Sequence, residues 1–155
     1  MEGKLKSLLE RLNSSGEPVF WQGPTGNEAI DRVERLLSIK LPPSFRAFLR
    51  LCGGGGVEGS EISGIEEGDP SLENKGTVLG DTKRCREEFG LPSHLAVIYF
   101  SEEGVCWCLD SSNPDLSEEY RVVSFSLFSE RIDARLADDF LGFFSQYVES
   151  RTSSA

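Results

Sequence analysis

IDRVERLLSIKLPPSFRAFLRLCGGGG, residues 30–56, decides how the chain folds. Ile30, Val33 and Leu37 recur at helical spacing, so one face of a first helix is apolar. Phe45, Phe48, Leu49 and Cys52 repeat that stripe in a second helix. Pro42 and Pro43 cannot lie inside a helix, but they can open one, because first-turn N–H groups have no intrahelical partner. Gly53 to Gly56 end the second helix, glycine taking the left-handed C-cap conformation freely. The stretch is read as helix, proline corner, helix and flexible exit.

Outward from this pair, Leu5, Leu8, Leu9 and Leu12 predict a helix over 4–13. Val19, Phe20 and Trp21 form an apolar patch, read as an edge segment or a plug over the core. Thr25 followed by Glu28 has the spacing of a capping box, placing the next helix at 26–38. A short strand is expected near 60–65 around Ile62 and Ile65, then an acidic loop over 66–76. Leu79, Cys85 and Phe89 predict a helix over 78–89 that stops at Gly90. Two apolar runs, 96–100 and 105–109, flank Ser101-Glu102-Glu103-Gly104 and read as a hairpin. They are too apolar to alternate, which suggests strands covered on both faces. A polar loop at 110–119 leads to a third strand at 120–125. Ala137, Phe140, Leu141, Phe144 and Val148 mark a closing helix, with Asp138 and Asp139 in its first turn. The expected fold is α+β: N-terminal helices packed on a twisted, mainly antiparallel sheet, with a C-terminal helix. One domain is expected over 1–150, with a frayed tail at 151–155.

The formal net charge is −10. Such a chain lacks the basic patch that phosphate contacts require and is not expected to bind nucleic acid or an anionic membrane. No apolar run is long enough to span a bilayer, and the N-terminus lacks a signal-peptide pattern, so a cytoplasmic location is expected. Cys52, Cys85, Cys106 and Cys108 are read as free thiols. One C-x-C without a second pair does not make a zinc motif, and no cofactor motif is present. The glycine run follows a helix instead of leading one, the wrong order for a phosphate cradle. His94, the single histidine, is read as a loop or edge residue without a matched nucleophile. Glu34 is read as a structural acceptor for a nearby backbone or arginine.

The acidic loops remain as candidate partner-binding surface: Glu66, Glu67 and Asp69 in one, Glu102 and Glu103 at the hairpin tip, and Asp115, Glu118 and Glu119 in another. A hairpin over 96–109 would place the last two groups at opposite ends of the sheet, so the acidic loops are read either as two patches or as one rim. Trp21, Trp107 and Tyr120 would serve as anchors if exposed.

The opening stretch also resembles the signature of the SUKH superfamily, in Ile30, Glu34, Leu37, Leu41-Pro42, Phe45, Leu49 and Cys52-Gly53-Gly54. Gly104 to Asp110 and Ala137 to Phe144 are similar to its later strand and closing helix. The departures are Ser38, where that family often has glycine, and Cys52, where asparagine is common. The resemblance implies helices beside a twisted sheet and a non-catalytic, protein-binding role. Most directly it implies an immunity protein that binds and blocks a basic toxin domain of nuclease or deaminase type. The alternative is a regulatory scaffold for a cellular protein. A monomer or weak dimer is expected. An enzyme would need a pocket with convergent polar groups.

Overall fold

The computed structural model of the chain describes residues 1–152. Helix α1 (Glu2–Asn13) leads to strand β1 (Val19–Trp21), then α2 (Asn27–Leu37), α3 (Pro43–Cys52) and β2 (Gly55–Val57). A 3-10 turn (Glu66–Gly68) precedes α4 (Val78–Phe89). Strands β3 (Leu95–Ser101), β4 (Val105–Asp110), β5 (Arg121–Ser126) and β6 (Arg131–Ala137) follow, and α5 (Phe140–Thr152) closes the chain. Strands β3 to β6 form an antiparallel meander in sequence order, and β1 pairs with β2 as a separate antiparallel ribbon. The α+β class is as expected.

The sheet is covered on both faces, as its apolar runs suggested. Ala96, Ile98, Leu109 and Val122 join the core built with α1, α2, α3 and α5. Val97, Cys106, Cys108, Val123 and Phe125 face the other way, against Cys85 of α4 and Leu91. The larger core centres on stacked and edge-on rings. Phe48 lies 5.0 Å from Phe140 and 5.0 Å from Phe144, and Phe45 lies 4.9 Å from Phe140. These are the stripes of α3 and α5 meeting, at centroid separations where aromatic pairs attract.

The proline corner is fastened from both sides. Glu34 accepts the Leu41 N–H at 2.7 Å and an Arg46 ion pair at 3.0 Å, the structural role its position suggested. Pro42 offers no side-chain cap to α3, and Pro43 has no N–H to cap, so Ser44 carries an early orphan donor. Glu119, from the distant 110–119 loop, accepts both the Ser44 N–H (2.9 Å) and its hydroxyl (2.6 Å).

Several local expectations are corrected. The Thr25–Glu28 capping box does not form: α2 starts after Gly26 without a side-chain cap, and the buried Thr25 donates its N–H to Leu49 in α3. The expected strand at 60–65 is reduced to bridges at Ile62 and Gly64, although Ile62 and Ile65 are buried. The glycine run is no flexible exit. Gly53 is the left-handed cap, but Gly54 to Gly56 are buried: Gly54 is bonded to Gln22, Gly55 to Ile62, and Gly56 pairs with Phe20. β6 lies where no strand was expected, and α5 begins at Phe140, because Ala137 ends β6 and Asp139 accepts the Gly142 N–H at 2.7 Å as an N-cap does. The tail expected to fray from residue 151 is helical through Thr152, with the Arg151 guanidinium 3.7 Å over the Tyr147 ring. Residues 153–155 lie outside the described residues.

Ser38, the departure toward a non-glycine residue, caps α2 at φ 58, in the left-handed region. A Cβ is strained there, so Ser38→Gly is expected to stabilise the fold by about 0.5–1 kcal/mol, the strain relief exceeding glycine's added chain entropy. In a thermal melt that is a rise of about 1–4 °C. An unchanged or lower midpoint would contradict the cap geometry.

Candidate functional site

The eight acidic residues singled out from the sequence fall into two places. β3 and β4 run antiparallel with Leu95 opposite Asp110 and Ser101 opposite Val105. The turn carrying Glu102 and Glu103 is therefore at one end of the sheet, and the loop carrying Asp115, Glu118 and Glu119 is at the other.

At the first end the chain builds a cavity of about 790 Å³. Its walls are Phe20 of β1 with Gln22, the 59–76 segment, Asp81 of α4 and the end of β3 with its turn. The Ser63 N–H donates to the Ile98 carbonyl (2.7 Å), lashing the 59–76 segment to the edge of β3. Glu66, Glu102 and Glu103 meet here with two carboxylates that sequence reasoning missed, Glu61 and Asp81. Phe20, Tyr99 and Phe100 supply aromatic wall. Lys75 is the single cation among the lining residues, and its ammonium lies 2.9 Å from Glu102. That contact holds the Glu102 carboxyl below the usual carboxylate range. Glu67 and Asp69 share the loop but do not line the cavity. Asp69 is spent on Ser71, whose hydroxyl and N–H it accepts, which lowers its pKa. Phe128, 84 % exposed, packs on Gly104 beside the same turn.

The second end is used differently. Asp115 accepts the N–H groups of Ser117 and Glu119 and so organises its own loop. Glu118 borders a smaller cavity, about 390 Å³, that also holds Lys40 and Arg46. Glu119 is corrected as a partner-binding residue: it is buried, and both its oxygens are taken by Ser44. The aromatic anchors proposed from sequence are also drawn inward. Tyr120 is buried, Trp107 packs on Tyr99 and Phe143, and the half-buried Trp21 donates its indole N–H to Asn13.

Burial raises the carboxyls of Asp81 and Glu119, against the hydrogen bonds each receives. A raised folded-state pKa gives stability that is present at low pH and lost as pH rises through it. Lowering the pH from 7 toward about 4.5, above the ordinary carboxylate range, is therefore expected to make these two sites less destabilising. The lowered carboxyls of Asp69 and Glu102 act with the opposite sign, at and below that range. Urea midpoints measured across this window should depend on pH with a flatter slope in an Asp81→Asn, Glu119→Gln double variant. Equal slopes would contradict the assignment.

The family model described as SMI1-KNR4 cell-wall, SUKH_5, matches residues 5–149. The chain belongs to the SUKH family. A crystal structure of a protein from Pseudomonas syringae pv. tomato is similar in fold to this SUKH chain, with a TM-score of 0.67 at 16% identity, covering 89% of this chain and 93% of that one. All residues lining both cavities lie inside the family-matched span of the SUKH chain.

Other chemistry in this SUKH protein sits apart from the acidic cavity. His94 precedes β3 at the opposite end of the sheet, 3.8 Å from Asp110. The four cysteines are buried and free. Burial pushes the Cys52 thiol up to about 12. Contact with Cys106 raises Cys85, and contact with Cys108 raises Cys106. Thiols so raised are poor nucleophiles. Among the described residues no group of three or more His, Cys, Asp or Glu side chains could hold a metal ion, and no helix is long and apolar enough to cross a membrane.

Proposed function

We propose that this SUKH-family chain is a non-catalytic binding protein of the cytoplasm, and that it acts as an immunity protein: it binds a basic nuclease- or deaminase-type toxin domain and blocks it by occlusion. The observation that carries this reading is the acidic cavity, where Glu61, Glu66, Glu102 and Glu103, with the buried Asp81 behind them, share the lining with one ammonium beside aromatic wall. A toxin that grips nucleic acid has a basic cleft. An acidic end that fills it gains on-rate from steering and specificity from matched charge. The family membership supports the same reading.

The cavity does hold convergent polar groups, the feature an enzyme would need. Its buried pair is Ser63, whose hydroxyl donates to Asp81 at 2.7 Å. Asp81 is spent holding the loop, since its other oxygen accepts the Gly76 N–H at 3.3 Å. No histidine stands beside Ser63 to act as base and be oriented by a third group, the arrangement nucleophilic catalysis asks for.

Co-expression with a basic toxin domain encoded beside it tests the proposal. The expected result is a stoichiometric complex, protection of the host cell, and an association rate falling about tenfold or more from low to high salt. Failure both to bind and to protect would overturn it. A complex with an unrelated cellular protein, insensitive to salt, would favour the regulatory scaffold instead.

A further inference from the structure

We propose that Lys75 is an internal stand-in for the partner: its ammonium on Glu102 occupies the place that a lysine or arginine side chain of a basic protein takes, and it leaves when that side chain enters. The inference rests on the preceding reading of the acidic cavity as the partner-facing site and names what enters it.

Three observations lead here. The first is the charge imbalance of the lining, with Glu61, Glu66, Asp81, Glu102 and Glu103 against Lys75. The second is the wall. Phe20, Tyr99 and Phe100 offer ring surface along which the aliphatic stem of a long cationic side chain can lie. Phe100 already carries a guanidinium, that of Arg84, at 4.7 Å from its ring. The third is the nature of the ion pair. Lys75 and Glu102 approach to 2.9 Å, yet their side chains are 60% and 72% exposed. Exposed pairs of this kind are weak and exchange readily. Lys75 also reaches the cavity from the loop that ends at Gly76, whereas Glu102 belongs to the β3–β4 turn. The pair therefore links the two walls without being part of the core. An incoming cation would find Glu102 freed, with Glu103 next to it and Glu66 on the facing loop. Glu66 holds only an exposed Asn74 amide, at 2.6 Å. The partner's chemistry follows: a protruding lysine or arginine on a basic protein surface.

The direction of effect separates a stand-in from a helper. If Lys75 competes with the partner, removing its charge tightens binding. If it contacts the partner or shapes the cavity, removing it weakens binding.

The test uses octalysine and octaarginine as probes, with octaglutamate as control, titrated into the full-length isotopically labelled protein at low salt. Amide shifts are expected at 59–66 and 99–103. Lys75→Met should bind the cationic probes about three- to tenfold more tightly, and Lys75→Arg as wild type. Glu102→Gln with Glu103→Gln should bind about tenfold more weakly. All these positions are exposed, and unchanged melting curves check that the fold is kept. Affinity that is unchanged or weaker in Lys75→Met, or shifts confined to the loop of Asp115 and Glu118, would overturn the inference. A toxin domain that binds with no effect of Lys75→Met would also sink it, while leaving the immunity role intact. Cationic peptides that seat as described, with no toxin bound, would leave it standing while the immunity role fails.

Discussion

Gly64→Ala is expected to prevent folding, although Gly64 lies outside every helix and strand. A Cβ at this position would lie 1.8 Å from the Gly53 carbonyl oxygen and 2.6 Å from the Gly54 Cα. Both are backbone atoms, and neither can swing aside. The segment is also fastened around the crossing. Gly64 donates to Gly76 (3.0 Å), Ile65 donates to Gly53 (2.9 Å), and Val78 donates to Gly64 (2.9 Å). Relieving the clash means parting the ribbon from the 62–65 segment and with it one wall of the acidic cavity. The expected loss exceeds about 4 kcal/mol, among the largest that single substitutions produce. Against a total stability of about 5–15 kcal/mol, that is enough to abolish the native state in many domains. Gly16→Ala is the control. Gly16 has a positive φ of 85 but open space around it, so only the conformational strain of about 1–2 kcal/mol applies. Urea titration of both variants decides the matter. A Gly64→Ala protein as stable as Gly16→Ala would mean that the two backbones do not cross this closely.

Phe48→Ala is expected to cost about 3–5 kcal/mol, the range for emptying a fully buried aromatic site. Phe48 has no exposed surface and sits where α3 meets α5, with Phe140 and Phe144 each at 5.0 Å. The cavity cannot close easily, because Phe45 also packs on Phe140. A double-mutant cycle between Phe48 and Phe140 should return a coupling of about 0.5–1.5 kcal/mol beyond their separate burial. Stability reduced by less than about 1.5 kcal/mol, below what large core truncations produce, would show that the two helices do not share this core.

What was legible in the sequence follows from where the physics is local. The α2–α3 pair, α4 from Val78 to Phe89, and the double coverage of β3 and β4 all follow from apolar spacing, because burial of one face is written in every third or fourth residue, or in an unbroken run. β6 was missed although Ile132, Ala134 and Leu136 alternate with Arg131, Asp133 and Arg135. It is an exposed edge strand, and edge strands carry charge that hides their pattern. The glycine run was misread because its use is not local: Gly53 and Gly54 are glycines for the sake of Gly23 and Gly64, which approach from elsewhere in the chain. The same reasoning covers the site. The acidic loops are visible in the sequence, but whether they form two patches or one rim is decided only by the β3–β4 register, which puts them at two ends of the sheet. That Glu61 and Asp81 join Glu66, Glu102 and Glu103, and that Glu119 is withdrawn to cap α3, depends on tertiary placement. The only early signal for Glu119 was Pro42-Pro43, which leaves α3 in need of an outside cap.

The proposed capture of a basic partner rests on negative charge at one end of the sheet and not on the overall charge of −10. The direct measurement is the affinity for a basic nuclease-type toxin domain of two variants with equal loss of charge. One is Glu66→Gln, Glu102→Gln, Glu103→Gln in the cavity, and the other is Glu10→Gln, Glu28→Gln, Glu87→Gln on exposed helical surface elsewhere. The cavity variant is expected to bind about a hundredfold more weakly, and the surface variant within about threefold of wild type. Equal weakening in both would contradict the claim, because the charge would then act only as a diffuse field.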